Sequence, residues 1–422
     1  LPALSATPYV PGRARGVLRF GAERAAPGVI AVLSQQELER LTTPPSGVVL
    51  VEGAPFSHPA LRLLSRGVPT VLAEAGQLEG LTEGMEILLD GASGLLLSPL
   101  PDELPAYAPP PPPATGLPIC TADGIRVELR ASIGSASAAA DAVTQGASAI
   151  GLVRSEYLFP PDGSRPDAAF LVRAFDELCR AAHPLRVTFR LLDIAGDKRP
   201  PWLGNLPGIA SVLGLQGARL YDREPVRRVY LQALQALGSV AESHPVDILL
   251  PYVVSVAELE SRVAEIRRHV PASVRIGSML ETPAAALAVD DFLGVADFAA
   301  LGCNDLMQCL FAADRDLPEL RGFLDPHAPV LYRFLAEVAE RAGASQAGLQ
   351  VCGLLAQRPG VLPVLLGLGY RVFSVDPVMI PWLALSAAQT DTKQAEKLAD
   401  AVCAARRPAE VRQLLGETNS SA

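Results

Sequence analysis

No Cys-x-x-Cys pair occurs in this chain. Its six cysteines, Cys120, Cys179, Cys303, Cys309, Cys352 and Cys403, are scattered. That spacing fits neither a zinc cage nor a disulfide framework, and a reducing cytoplasm is the expected compartment. Long basic runs are also missing, and the net charge is −9, which argues against a general nucleic-acid surface. The most apolar stretch, 362–388, is interrupted by Pro363, Arg371, Asp376, Pro377 and Pro381, so no membrane partner is expected. The N-terminus has no basic region followed by an apolar core, and no secretory signal is expected. What remains is 422 residues, 49% hydrophobic and 19% charged, enough for two or three well-filled domains.

Residues Pro105 to Pro118 include the run Pro109-Pro110-Pro111-Pro112-Pro113. Such a run favours stiff polyproline II and is read as a linker, either an arm for a moving domain or a passive spacer. Before it, over 1–104, short strand-like runs alternate with glycine turns: 16–20, 29–33, 47–51, 69–72, 86–89 and 94–97, with helices over 36–41 and from Ser57 through Leu64. Beyond it, over 119–422, eight strand-like runs recur at 125–129, 149–153, 187–192, 247–250, 274–279, 298–301, 350–352 and 371–374. Helical periodicity fills most of the gaps, as in 255–269 and 329–341. The expected fold is therefore α/β: a small β/α domain followed by a (β/α)8 TIM barrel. An open doubly wound sheet is the alternative, but it would not gather side chains from so many strand ends.

Barrel chemistry sits at the C-terminal ends of strands, and here those ends carry Arg154, Arg190, Glu281, Asn304, Asp305 and Cys352. Glu281 and Asp305 end two neighbouring apolar runs and suit Mg2+, which takes few protein oxygens and leaves places for substrate. Arg154, Arg190 and Arg315 would together neutralise a small, strongly anionic substrate, or serve singly as surface ion-pair partners. Asn304 could donate to a phosphate oxygen. Cys352 is either a small buried residue or a thiol that moves a proton at carbon. Lys198 either meets a substrate oxygen or pairs with Asp197. His58 stands where a turn meets a helix start, behind Ser57 as cap and before Pro59. A helix start favours an anion, so this histidine is either a phosphorylated imidazole or a plain loop residue.

Taken together these motifs resemble the PEP-utilising enzymes: enzyme I of the bacterial sugar phosphotransferase system, phosphoenolpyruvate synthase and pyruvate phosphate dikinase. The resemblance is carried by Gly151-Leu152-Val153-Arg154-Ser155-Glu156-Tyr157-Leu158-Phe159, Arg190-Leu191-Leu192-Asp193-Ile194-Ala195-Gly196-Asp197-Lys198, Leu280-Glu281-Thr282-Pro283, Gly302-Cys303-Asn304-Asp305-Leu306, Ala313-Asp314-Arg315 and Val351-Cys352-Gly353. It is strongest from Cys120 to about Leu415, where the barrel is most like enzyme I. Ser57-His58 with Gly67-Val68-Pro69-Thr70-Val71 is similar to the swivelling phosphohistidine domain.

The resemblance implies PEP-dependent phosphoryl transfer to His58 with release of pyruvate. Mg2+ would sit on Glu281 and Asp305. Arg154, Arg190, Arg315, Asn304 and Lys198 would hold the substrate, and Cys352 would protonate the enolate. It also implies a homodimer through the barrel.

The chain departs from the family pattern at several positions. Ala54-Pro55-Phe56 stands where Gly-Arg-Thr is usual before Ser57-His58. Leu64 and Gln216 replace arginines, and Leu354 replaces a glutamate. Between Phe20 and Val29 there is no room for the phosphocarrier-binding insertion of enzyme I, and no ATP-grasp domain is visible. A separate phosphoacceptor protein or nucleotide-binding chain is the expected partner. Two other readings compete: a PEP- or pyruvate-binding sensor without turnover, and an Mg2+-dependent barrel lyase or hydrolase acting on PEP or a 2-oxo acid.

Overall fold

The computed structural model describes residues 4–100, 106–114, 116–195, 199–204, 206 and 213–416. Two compact units emerge. The first comprises Leu1–Pro111 and Ala313–Asp325, and the second Pro112–Ala312 and Pro326–Ala422.

The first unit is built on an eight-stranded sheet. Its strands are β1 (Leu4–Ser5), β2 (Thr7–Val10), β3 (Arg13–Phe20), β4 (Val29–Ser34), β5 (Gly47–Val51), β6 (Thr70–Ala73), β7 (Glu86–Asp90) and β8 (Leu95–Leu97), in the order β1-β8-β7-β3-β4-β5-β6-β2. Strands β3 to β6 run parallel, and antiparallel pairs complete both sides. One face packs alternate residues, Ile30 with Val32 and Ile87 with Leu89, around Leu18, Val49 and Val71. This is the period-2 burial a strand imposes.

Helix His58–Ser65 turns Ala60, Leu61, Leu63 and Leu64 inward. Its start is fixed by Ser57, whose hydroxyl accepts from the Ala60 N–H and receives a 2.8 Å hydrogen bond from Gln35 Nε2. The six strands and two helices read from the sequence here are all present. The short β1 and β2 escaped that reading because two to four residues carry too little periodicity.

The second unit is a closed parallel barrel. Strands β10 (Arg126–Ile133), β11 (Ile150–Arg154), β12 (Val187–Arg190), β13 (Val246–Leu250), β14 (Arg275–Leu280), β15 (Phe298–Gly302), β16 (Leu349–Cys352) and β17 (Val372–Val375) pair in sequence order, and β10 pairs with both β11 and β17 to close the ring. A short β9 (Ile119–Cys120) adds antiparallel to β10. All eight expected barrel strands occur.

The interior holds Leu152, Leu249, Met279, Phe298, Ala300 and Cys352. The register sets Arg154 beside Arg190 and Gly302 beside Cys352 at the C-terminal ends. Residues that close those strands therefore share one mouth. Among the described residues no helix is long and apolar enough to cross a membrane.

Candidate active site

The barrel mouth is organised by Arg190, 5% exposed. Its guanidinium donates to Glu156 and, at 2.8 Å, to Asp193. Burial pulls against the positive charge, but Asp193, Glu156, Glu281 and Asp305 outweigh it and hold the group protonated. A planar fork gripped by two carboxylates is fixed in orientation.

Glu281 follows the last residue of β14 and is 2% exposed. Its Oε2 accepts from the Tyr252 backbone N–H at 2.8 Å. Tyr252 adopts φ 55, a left-handed conformation uncommon for a bulky residue. Burial first, then Asp305 and Asp193, push the Glu281 carboxyl up to about 8. Gly302 gives it room: a Cβ there would lie 2.5 Å from Glu281 Cγ.

Asp305 lies in the first turn of helix Cys303–Phe311, directly after β15. Asn304 Oδ1 accepts from the Leu354 backbone N–H at 3.0 Å. The intervening Gly353 has φ +95, and a Cβ on it would meet Asn304 Oδ1 at 2.8 Å. A glycine is needed there on both counts.

Cys352 is 3% exposed. Burial pushes its thiol up to about 11, opposed by a hydrogen bond from Gln350 Nε2 to Sγ at 3.0 Å. Gln350 in turn accepts from Arg130 at 3.3 Å, and Arg130 is paired with Glu128. A polar line thus runs up the barrel interior to the sulfur. Arg154 ends β11 with its guanidinium 6.0 Å from the Tyr157 ring centre, near the limit of a cation–π contact. Lys198 lies outside the described residues. Gln216 is buried just before the turn Gly217–Leu220.

The remaining two sequence candidates meet within the first unit. His58 Nδ1 is 2.9 Å from Asp316 Oδ2, and the His58 backbone N–H donates to Asp316 Oδ1 at 2.9 Å. Arg315 Nη2 stands 2.8 Å from His58 Nε2. Arginine has only donors, so Nε2 presents its lone pair to Arg315 and Nδ1 carries the hydrogen toward Asp316. Burial raises the Asp316 carboxyl, but the side-chain and backbone hydrogen bonds from His58 and the charge of Arg315 outweigh it and hold the group below the usual range.

Four participants escaped the sequence reading: Glu156, Asp193, Gln350 and Asp316. Glu156 and Asp193 did leave a trace, as acids two and three residues past strand-end arginines in motifs already singled out.

With this geometry in view, similarity to known proteins is decisive. Residues 114–392 match the family model described as PEP-utilising enzyme, PEP-binding domain. This chain belongs to the PEP-utilising enzyme family. The PEP-utilising barrel is thus the structure described above, and the likeness extends beyond it. A phosphoenolpyruvate-protein phosphotransferase of Haloferax volcanii is 32% identical over 412 residues, covering 93% of this chain and 71% of that protein. One from Streptomyces coelicolor is 34% identical over 380 residues, covering 87% and 67%. A multiphosphoryl transfer protein of Xanthomonas campestris is 34% identical over 373 residues, covering 83% of this chain and 44% of that longer protein.

Among the described residues no group of three or more His, Cys, Asp or Glu side chains forms a metal cage. Glu281, raised by burial first and then by Asp305, is nevertheless with Asp305 a fitting pair for a hard cation that completes its shell with substrate oxygens.

Proposed function

We propose that this protein transfers the phosphoryl group of phosphoenolpyruvate to His58 Nε2 and releases pyruvate; its relatives named phosphoenolpyruvate-protein phosphotransferases support transfer from phosphoenolpyruvate to a protein. The observation that carries the reading is the convergence of Arg190, Glu281, Asn304, Asp305 and Cys352 at the ends of β12, β14, β15 and β16. Arg154 and Arg190 bind the anionic substrate, with Asn304 donating to a phosphate oxygen. Mg2+ held by Glu281 and Asp305 would neutralise charge on the reacting oxygens.

His58 Nε2 attacks phosphorus, the Nε2–P bond forms, and the P–O bond to the enol breaks. The enolate takes the Cys352 proton at carbon to become pyruvate. Arg315, already beside Nε2, moves onto the phosphoryl oxygens. Little covalent work falls to the barrel, because phosphoryl transfer is catalysed mainly by positioning and charge neutralisation. Domains 1–104 and 119–422 act as carrier and barrel, with the segment Ala313–Asp325 belonging to the carrier's compact unit. The proline arm 105–118 lets the carrier swing, and a separate phosphocarrier protein accepts the group. The barrel pairs with a second copy, and the protein works in the cytoplasm.

One observation favours a second reading, a PEP-binding sensor: both terminal nitrogens of Arg190 are already engaged by Glu156 and Asp193. Incubation with 32P-labelled PEP and Mg2+ separates the two. The phosphotransferase gives acid-labile label on the protein that disappears in His58→Ala. Calorimetric binding of PEP with no label establishes the sensor. Release of free pyruvate and phosphate without a phosphoprotein establishes a hydrolase.

A further inference from the structure

We infer that Asp316 is the positioning residue that fixes the His58 tautomer and thereby makes Nε2 the nucleophile. The inference deepens the phosphotransferase reading and rests on it. Asp316 holds His58 at two points from one carboxylate, the backbone N–H and ring Nδ1, both at 2.9 Å. Two attachments remove rotation about both the helix start and the ring. The Asp316 main chain is itself anchored, because its backbone N–H donates to Asp314 Oδ1 at 3.0 Å. Side-chain exposure is 16% for His58 and 29% for Asp316, so the pair is only partly open to competing water.

Chemistry then follows from the neutral tautomer. An imidazole has one N–H and one lone pair, and the partner of one nitrogen decides the role of the other. A carboxylate accepts only, so it retains hydrogen on Nδ1. The lone pair is left on Nε2, the side occupied by the Arg315 guanidinium at 2.8 Å. As the Nε2–P bond forms, the ring gains positive charge while Nδ1 keeps its hydrogen, and the Asp316 carboxylate balances that charge. The enol oxygen leaves with the electron pair of the broken P–O bond. No further reactant is needed. Asp316 touches neither phosphorus nor the enolate and acts only through His58. One anion, Asp316, thus faces Nδ1 and one cation, Arg315, faces Nε2.

The test compares the full-length protein with Asp316→Asn and Asp316→Glu, using 32P-labelled PEP and Mg2+, together with 15N NMR of the imidazole. In the parent protein the His58 signals should be those of the Nδ1–H tautomer. The amide of Asp316→Asn offers a donor to Nδ1, so the tautomer signature should shift. Labelling should slow by about 10- to 100-fold, as for other groups that orient an imidazole. PEP affinity should be unchanged, and Asp316→Glu should recover part of the rate. An Nε2–H tautomer in the parent overturns the inference. So does an Asp316→Asn protein that labels at the parental rate with its tautomer unchanged. A parent that never labels yet shows the Nδ1–H signature, lost in Asp316→Asn, supports the tautomer assignment while sinking the phosphotransfer reading by itself.

Discussion

Gln350 donates from Nε2 to the sulfur of Cys352 at 3.0 Å, two residues along the same strand. The hydrogen bond favours the thiolate and opposes the burial that lifts the thiol to about 11. In Gln350→Leu the thiol should become still more basic. Exchange of pyruvate methyl hydrogens with solvent should slow about five- to tenfold, the worth of one buried hydrogen bond. Deuterium exchange followed by NMR measures it, and an unchanged rate would count against a role for Cys352 in proton transfer.

Gly302 and Glu281 touch so closely that a methyl group cannot enter, since the added Cβ would lie 2.5 Å from Cγ. Gly302→Ala should displace the carboxylate and raise the Mg2+ concentration needed for labelling. Glu281→Gln should abolish labelling while removing the repulsion from Asp305 and Asp193. Without added metal, and above pH 8 where the parent's Glu281 is charged, its melting temperature should rise by about 2–4 °C, the shift expected for roughly 1 kcal/mol in a domain this large.

Removing Arg190 strands Glu156 and Asp193, which are 4% and 8% exposed at the side chain. Breaking a buried ion pair from one side costs about 3–5 kcal/mol, so Arg190→Met should lower the urea midpoint strongly. Adding Glu156→Gln should return part of the loss, and a double-mutant cycle reads the coupling.

Asp123 ties the start of the barrel unit to helix Thr392–Ala404. It accepts from Thr121 Oγ1 at 2.6 Å and from the hydroxyl and N–H of Thr392. The Thr121 hydrogen bond, then that of Thr392, lowers its carboxyl from 3.8 to about 2. A depressed acid stabilises the fold above its unfolded value, and that contribution is lost as protons bind in the folded state. The difference in melting temperature between the parent and Asp123→Asn should be constant above pH 3.8 and close as the pH falls toward 2. A difference that persists unchanged to pH 2 would refute the assignment.

Particular residues show what could be read early. Val274 to Leu280 is apolar and stops at Glu281, and Phe298 to Leu301 stops just before Asn304 and Asp305. A strand end places its terminal side chains at one rim whatever the packing details, so the barrel and its mouth were legible. Lys198 remains an expectation, because it lies outside the described residues. Arg190 was legible as a rim cation, but not its capture by Glu156, 34 residues away. Gln350 read as an ordinary strand residue, because nothing local marks which polar side chain points into a barrel.

Sequence by itself determined the alternation of strands and helices, the rim residues and the caps such as Ser57. Each of these depends on hydrophobic period or on hydrogen bonds reaching only a few residues. Tertiary structure alone decided that Asp316 and Arg315 flank His58 across separations of 258 and 257 residues. It also decided that two carboxylates, Glu156 and Asp193, grip one guanidinium. The reason is physical: local propensity acts through neighbouring dihedrals, whereas charge and hydrogen bonding act through space and take effect only once the chain has closed on itself.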